Sequence, residues 1–356
     1  MKPTESPVPL RASPWDRALR TLAESAGIEA AVAQAAQPTL CLGAGYSDLL
    51  RSCLAGPGTS PLLIADTDNR RLRRTRQTAG QRAQALRLFA FDDLRRDAAG
   101  VEAAFVGGPV RDLDGLLAFE ENLRHRLREH PAVADDSLDV LVMDFVLNRV
   151  TAHDRPAALG ESLRTLRRGG RVYAAVLLAD EPLPGAHTIK HAPSDVPLHM
   201  PTEREALLAF EQAGFHGIRL HWSAIEDPAA LDRIGQVDIR MCLIEAFKGK
   251  QGPCFELGQA VVYNGPWREV HDDDGHVYRR GERVAVCAKT YDLLMREPYT
   301  GCFIGLRAAN EPSLSDAALF DCNTPALRDP RTTKGLAPFT GERVDTGACG
   351  PGSGCC

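Results

Sequence analysis

Residues 39–45 read Thr-Leu-Cys-Leu-Gly-Ala-Gly. A short uncharged run that stops at a glycine predicts a buried strand ending in a tight turn. The Gly-x-Gly step lets the chain turn sharply and lets an anionic or zwitterionic ligand approach the backbone. Outward from it the same unit recurs. Pro61 to Ala65 is a second apolar run ending in Asp66, and the basic stretch NRRLRRTRQTAGQRAQ after it predicts a solvated helix face. Leu86–Phe91 alternates and ends in Asp92-Asp93, a third strand. Leu138–Asp144 is a fourth, and Arg171–Val176 a fifth, entered from a helix over roughly 154–166 that Gly169-Gly170 caps. Helices are predicted over 15–36, 47–54 and 202–213, and Ile218–Trp222 closes the sheet. Residues 97–131 form an insertion with one amphipathic helix carrying Leu116, Leu117, Phe119, Leu123 and Leu127. Strands alternating with helices predict an α/β fold: a mostly parallel sheet covered on both faces.

The length of 356 residues predicts more than one domain. We expect an N-terminal arm and helix over 1–36, the sheet domain over 37–236, a smaller α+β domain over 237–326 and a mobile tail over 327–356. The boundary at 237 rests on strand-like runs (AVVYNG, RVAVCA, CFIGLR) and on the Asp274-Gly275 turn signal. A hydrophobic fraction of 44% excludes bulk disorder, and a net charge of −5 argues against a nucleic-acid surface. No apolar run is long enough to span a bilayer, so no membrane partner is expected. The opening MKPTESPVPLRASPW lacks an apolar signal core, so a cytoplasmic protein is expected, with a small-molecule substrate as partner. Of ten cysteines only Cys41 and Cys53 precede Cys242. In a reducing compartment these are thiols, and their crowding leaves soft-metal chemistry, redox chemistry and chance all open.

Asp66 ends the second strand, where a carboxylate accepts hydrogen bonds from both hydroxyls of a ribose. A nicotinamide fingerprint needs a third glycine where Asp48 stands. The remaining features favour S-adenosylmethionine as cofactor. Phe91-Asp92 offers an apolar face and a carboxylate for an adenine ring and its amine. Leu166-Arg167-Arg168-Gly169-Gly170-Arg171-Val172 before strand five has the order usual in class I methyltransferases. The cofactor-binding set is therefore Gly43, Ala44, Gly45, Tyr46, Asp66, Thr67, Phe91, Asp92 and Asp144. Tyr46 is placed either to cover the sulfonium by cation–π contact or simply to pack. Cys41 stands where class I enzymes usually carry an acidic residue.

The chain resembles the arsenite S-adenosylmethionine methyltransferase family. The resemblance rests on Asp136–Val140 through Asp144-Phe145-Val146-Leu147-Asn148, on Ala213-Gly214-Phe215, on Phe255–Gly265 and Arg283–Cys287, and on a cysteine-containing tail. It implies a Rossmann-like domain with an appended α+β domain, and methyl transfer to a soft or small nucleophile. In that family cysteine thiolates hold trivalent arsenic. Cys242 falls at one such position, but the stretch 186–200 (AHTIKHAPSDVPLHM), where its partner belongs, has no cysteine. Asn148, Cys242 and Asp144 are the candidate catalytic residues, Asn148 either for orienting a substrate or as a helix cap.

Two rival functions follow from the same residues. The sulfonium activates three carbons, so methylthioadenosine release, by aminocarboxypropyl transfer or by cyclisation to a four-membered amino acid, is one. A non-catalytic metalloid-binding protein is the other. His187, His191 and His199 with Asp195 show no regular ligand spacing and predict a polar lid. His271–His276 predicts a hairpin before a metal site, and no resident metal is expected.

Overall fold

The computed structural model describes residues 14–47, 49–55, 60–79, 83–106, 109–189, 197–222 and 231–337. The chain forms two compact units, which divide between Gln251 and Gly252. In the first, the elements run α1 (Pro14–Ser25), α2 (Ile28–Gln34), β1 (Thr39–Leu42), α3 (Leu49–Ala55), β2 (Leu62–Asp66), α4 (Asn69–Ala79), β3 (Ala83–Arg87), α5 (Ala98–Ala103), α6 (Leu113–Glu129), β4 (Leu138–Asp144), α7 (Val146–Arg149), α8 (Arg155–Thr165), β5 (Leu166–Ala179), α9 (Glu203–Gln212), β6 (His216–Trp222), β7 (Leu231–Ile234) and β8 (Val237–Phe247).

The sheet order is β3-β2-β1-β4-β5-β8-β6, with β7 paired to β8. Strands β1 to β5 pair in parallel, and β8 runs antiparallel between β5 and β6. That order, with one reversed strand next to the edge, is the Rossmann-like class I methyltransferase arrangement. Side chains alternate between two cores, as the period of a strand requires. Cys41, Ile64, Val142 and Leu243 lie with Leu19, Leu22, Ile28 and Leu49 from α1, α2 and α3. Leu40, Leu42, Met143 and Cys242 lie with Leu159 and Phe210 from α8 and α9. β1 and β4 are buried along their whole length, so both faces select uncharged residues almost throughout.

Several expectations are corrected. Residues 237–247 are not the start of the appended domain. The β7–β8 hairpin, turned at Gly235, brings antiparallel texture into the main sheet, and the change of domain comes after Gln251. The third strand stops at Arg87; Leu88 bridges to Asp97, and Phe91-Asp92 lie in a turn. Gly169-Gly170 lie inside β5, where its pairing with β4 shifts register, rather than capping a helix. The helix over 15–36 is two helices, broken at Gly27, which has φ of 69°.

The second unit contains β9 (Ala260–Tyr263), β10 (Glu269–His271), β11 (Val277–Arg279), β12 (Arg283–Ala285), α10 (Ala288–Leu294), β13 (Phe303–Leu306) and α11 (Pro330–Thr333). Antiparallel β12-β9-β13 and the β10–β11 hairpin surround a core of Val261, Tyr263, Tyr278, Val284, Val286, Tyr291 and Leu294. The tail expected from 327 is built into the unit at its start. Leu327 bridges to Val284, and Arg328 Nη2 reaches both oxygens of Glu256 at 2.8 and 2.9 Å. Cys349, Cys355 and Cys356 lie outside the described residues.

Candidate functional site

The Gly43–Ser47 turn leaves the end of β1, and a buried carboxylate fastens it. Asp144, the last residue of β4, accepts from the Tyr46 and Ser47 amides, each at 2.9 Å, through Oδ2, and from Ser47 Oγ at 2.6 Å through Oδ1. Burial pushes Asp144 up to about 6, with these donors and the Arg149 charge pulling against it. Gly43 and Gly45 have φ of 77° and 87°, a region open to glycine. Close approach matters as much. A Cβ on Gly43 would lie 2.7 Å from the Asp144 carbonyl oxygen, and one on Gly45 would overlap Thr75 Oγ1 of α4. Thr75 Oγ1 also donates to the carbonyl of Ala44 at 3.2 Å. The glycines therefore serve contacts within the protein as well as the turn.

Asp66 is fully buried at the tip of β2 and is ringed by donors. The Arg149 guanidinium, from α7, binds it bidentately, Nη1 and Nη2 each 3.0 Å from one oxygen. The amide of Asp68 donates to Oδ1 at 2.6 Å, and Arg71 Nε stands 3.7 Å from Oδ2. The same Arg149 guanidinium lies 4.7 Å from the centre of the Phe91 ring and 5.6 Å from that of Tyr46. Tyr46 is buried against Phe145, a non-glycine residue held at φ of 56°. The residues expected to surround an adenosyl cation thus converge on a cation of the chain itself. Ala44 is buried beside them, Thr67 is half-buried, and Asp92 is exposed.

Two expected catalytic residues do other work. Asn148 is completely buried, and its amide is saturated: Nδ2 donates to the carbonyls of Leu177 and His199 at 2.8 and 2.9 Å, and Oδ1 accepts from Leu177 N at 2.9 Å. It ties α7 to β5 and to the segment before α9, and no polar atom is left for a substrate. Cys242 sits in mid-strand on β8, opposite Val176 and Trp222. Burial, then the nearby Glu203 charge, pushes its thiol up to about 12, so it is neither a ready nucleophile nor a ready thiolate ligand. A cavity of about 600 Å³ opens beside the Asn148 tie, lined by Arg155, Leu183, His199, Met200, Glu205 and Leu208, among others. His191 and Asp195 lie outside the described residues.

Arg149 and Arg71 are not legible as site residues in the sequence. Arg71 is hidden in a run of arginines that reads as solvent-facing. Arg149 follows Asn148 directly, and the only signal is a cation one residue past the candidate polar group. The donor set fits S-adenosylmethionine in kind: a buried carboxylate at the tip of β2, an aromatic ring, and a turn fixed for backbone approach. Arg149 holds the place at that carboxylate.

Residues 250–338 match a family described as a domain of unknown function, DUF8838, which coincides with the described part of the second unit. No curated protein matches the sequence. Among solved structures, an arsenic(III) S-adenosylmethionine methyltransferase from Chlamydomonas reinhardtii is 16% identical over 80% of this chain and 89% of its own, with a TM-score of 0.40. The 1,6-didemethyltoxoflavin-N1-methyltransferase of Burkholderia thailandensis is 15% identical over 67% of this chain and 79% of its own, with a TM-score of 0.38. The human N-acetylserotonin methyltransferase is 13% identical over 66% and 55%, with a TM-score of 0.35. The fold assignment rests on the order and direction of the strands in this chain.

Proposed function

We propose that the chain is an S-adenosylmethionine-dependent methyltransferase whose adenosyl corner is closed by Arg149 until the cofactor takes its place. One observation carries the reading: a fully buried carboxylate, Asp66, at the tip of β2 beside the Gly43–Ser47 turn, in a sheet of this order. Asp66 would hold the ribose hydroxyls, Phe91 one face of the base, Asp92 its amine, and the Gly43–Tyr46 backbone the methionine end. The cofactor supplies an activated methyl on a sulfonium. The acceptor is a soft or small nucleophile, and the cavity lined by His199 and Glu205 is where the fold would receive it. Arsenite is the first acceptor to try, although Cys242 offers it no accessible thiolate.

A second reading is favoured by the Arg149–Asp66 pair itself. A desolvated, bidentate pair is costly to break unless new partners replace it. A protein that retains the fold without the chemistry would leave that pair shut. Calorimetric titration of the wild type and Arg149→Ala with S-adenosylmethionine and S-adenosylhomocysteine separates the two. Arg71 stays beside Asp66 in the variant to balance its charge. Both proteins should bind, the variant about tenfold or more tightly, since about 1.4 kcal/mol of pair-breaking is removed. No heat from either protein would leave only the non-catalytic reading. Turnover with arsenite and glutathione then identifies the bond broken: S-adenosylhomocysteine marks methyl transfer, and methylthioadenosine marks the rival chemistry.

A further inference from the structure

We propose that the second unit holds a zinc ion on the thiolates of Cys254, Cys287 and Cys322. Their sulfur atoms all lie within 4.8 Å of one another. A zinc–sulfur bond of about 2.3 Å in tetrahedral geometry separates ligand sulfurs by about 3.8 Å. A modest contraction of the cluster therefore suffices.

Three parts of the unit meet there. Cys254 precedes β9, Cys287 is the residue before α10, and Cys322 follows β13. Their backbones are already tied. Phe320 N donates to the Cys254 carbonyl at 2.9 Å, Glu256 N to that of Ala318 at 2.8 Å, and Ala288 N to that of Phe255 at 2.9 Å. Backbone hydrogen bonds thus hold the three segments together, as a preorganised site requires. A donor set of sulfur alone selects a soft or borderline cation and rejects magnesium and calcium.

Charge supports the same ion. Zinc with three thiolates carries one net negative charge. Lys289 lies near Cys254 as a compensating cation. The ion binds the thiolates, and their protons go to solvent.

The fourth position is open to water or an external thiol. His276 does not fill it. Its Nδ1 is 2.8 Å from Asp272 Oδ2 and its Nε2 is 3.2 Å from the Cys322 carbonyl oxygen, so both ring nitrogens are engaged beside the cluster. Cys287 is buried, whereas Cys254 and Cys322 are half-buried, so the opening lies on their side. The unit also has reason to need a staple. Among the described residues its apolar cluster is small, seven buried side chains, and small domains with small cores commonly add a metal or disulfides.

The test uses the full chain, purified without chelator from zinc-supplemented cells. Elemental analysis should give about one zinc per chain in the wild type and in Cys302→Ser, whose cysteine is exposed and outside the cluster. Cys254→Ser, Cys287→Ser and Cys322→Ser should each lose most of it. Because loss of a ligand can also unfold the unit, the wild type carries a second readout. Cobalt(II) added to the apo chain should give a thiolate-to-cobalt charge-transfer band in the near ultraviolet. Zinc should also slow iodoacetamide labelling of Cys254 and Cys322 at least tenfold without affecting Cys302. Substoichiometric zinc with no cobalt band overturns the proposal. So does an intact mass two hydrogens light with the missing pair mapped to two of these cysteines, which would make the cluster a disulfide with one thiol left over.

Discussion

Asp144 and Arg149 divide one corner between them: the carboxylate holds the glycine turn, and the guanidinium pairs with Asp66 beside it. Asp144 gives a pH signature. Its folded value of about 6 lies above the ordinary 3.8, so between these values the folded chain holds a proton that the unfolded chain has lost. The stability tied to that proton is complete below about pH 4 and disappears as pH rises through about 6. A displacement of that size corresponds to roughly 3 kcal/mol. Asp144→Asn removes the titration. Its amide oxygen is a weaker acceptor for Tyr46 N and Ser47 N than the ionised carboxylate is, so the bonds it makes match those of the protonated acid rather than of the anion. The difference between variant and wild type should move in the variant's favour by up to about 3 kcal/mol from pH 4 to pH 7. Urea unfolding at a series of pH values reads this directly, and a pH-independent difference would mean that Asp144 is not desolvated.

At the scale of elements, Asn148 shows how much the sequence revealed and where it stopped. An asparagine after strand four was legible. Its use was not, because the partners are backbone groups from β5 and from residue 199, which only the folded chain brings together. Asn148→Ala would orphan the Leu177 amide and the carbonyls of Leu177 and His199 in a buried place. At about 1 kcal/mol or more for each lost partner, the cost should be about 3–4 kcal/mol. Cofactor binding, assigned above to Asp66, Phe91 and the Gly43–Tyr46 turn as a proposal, should be retained below the melting transition. Loss of affinity without loss of stability would instead restore Asn148 to a role at the ligand. Other elements divide the same way. β1 and β4 were readable to the residue because a strand buried on both faces tolerates almost no charge. β3 was not, because apolar residues run on to Phe91 past the last ladder bond, which Leu88 N donates to the Asp66 carbonyl. β8 was misassigned because a hairpin in a largely parallel sheet carries the same local signal as the start of a β domain.

At the scale of the molecule, the two units have separate cores, one pair of layers around the eight-stranded sheet and one small cluster beyond Gly252. Cores that share no residues unfold as separate cooperative blocks unless something couples them. The chain should therefore show two calorimetric transitions rather than one. They can be assigned by perturbing each core where it is known. Asn148→Ala acts in the first unit, and about 3 kcal/mol in a block of this size lowers its transition by roughly 6–12 °C. Removal of zinc acts in the second, where each kcal/mol is worth about 4–8 °C because the block is small. A high-affinity chelator should thus lower one transition by more than about 10 °C and leave the other in place. The pattern must be crossed: the transition that moves with chelator should be indifferent to Asn148→Ala, and the converse. A single transition that moves with both treatments would mean that the units fold as one block. A chelator-insensitive pair of transitions would keep the two blocks while removing the metal from the second.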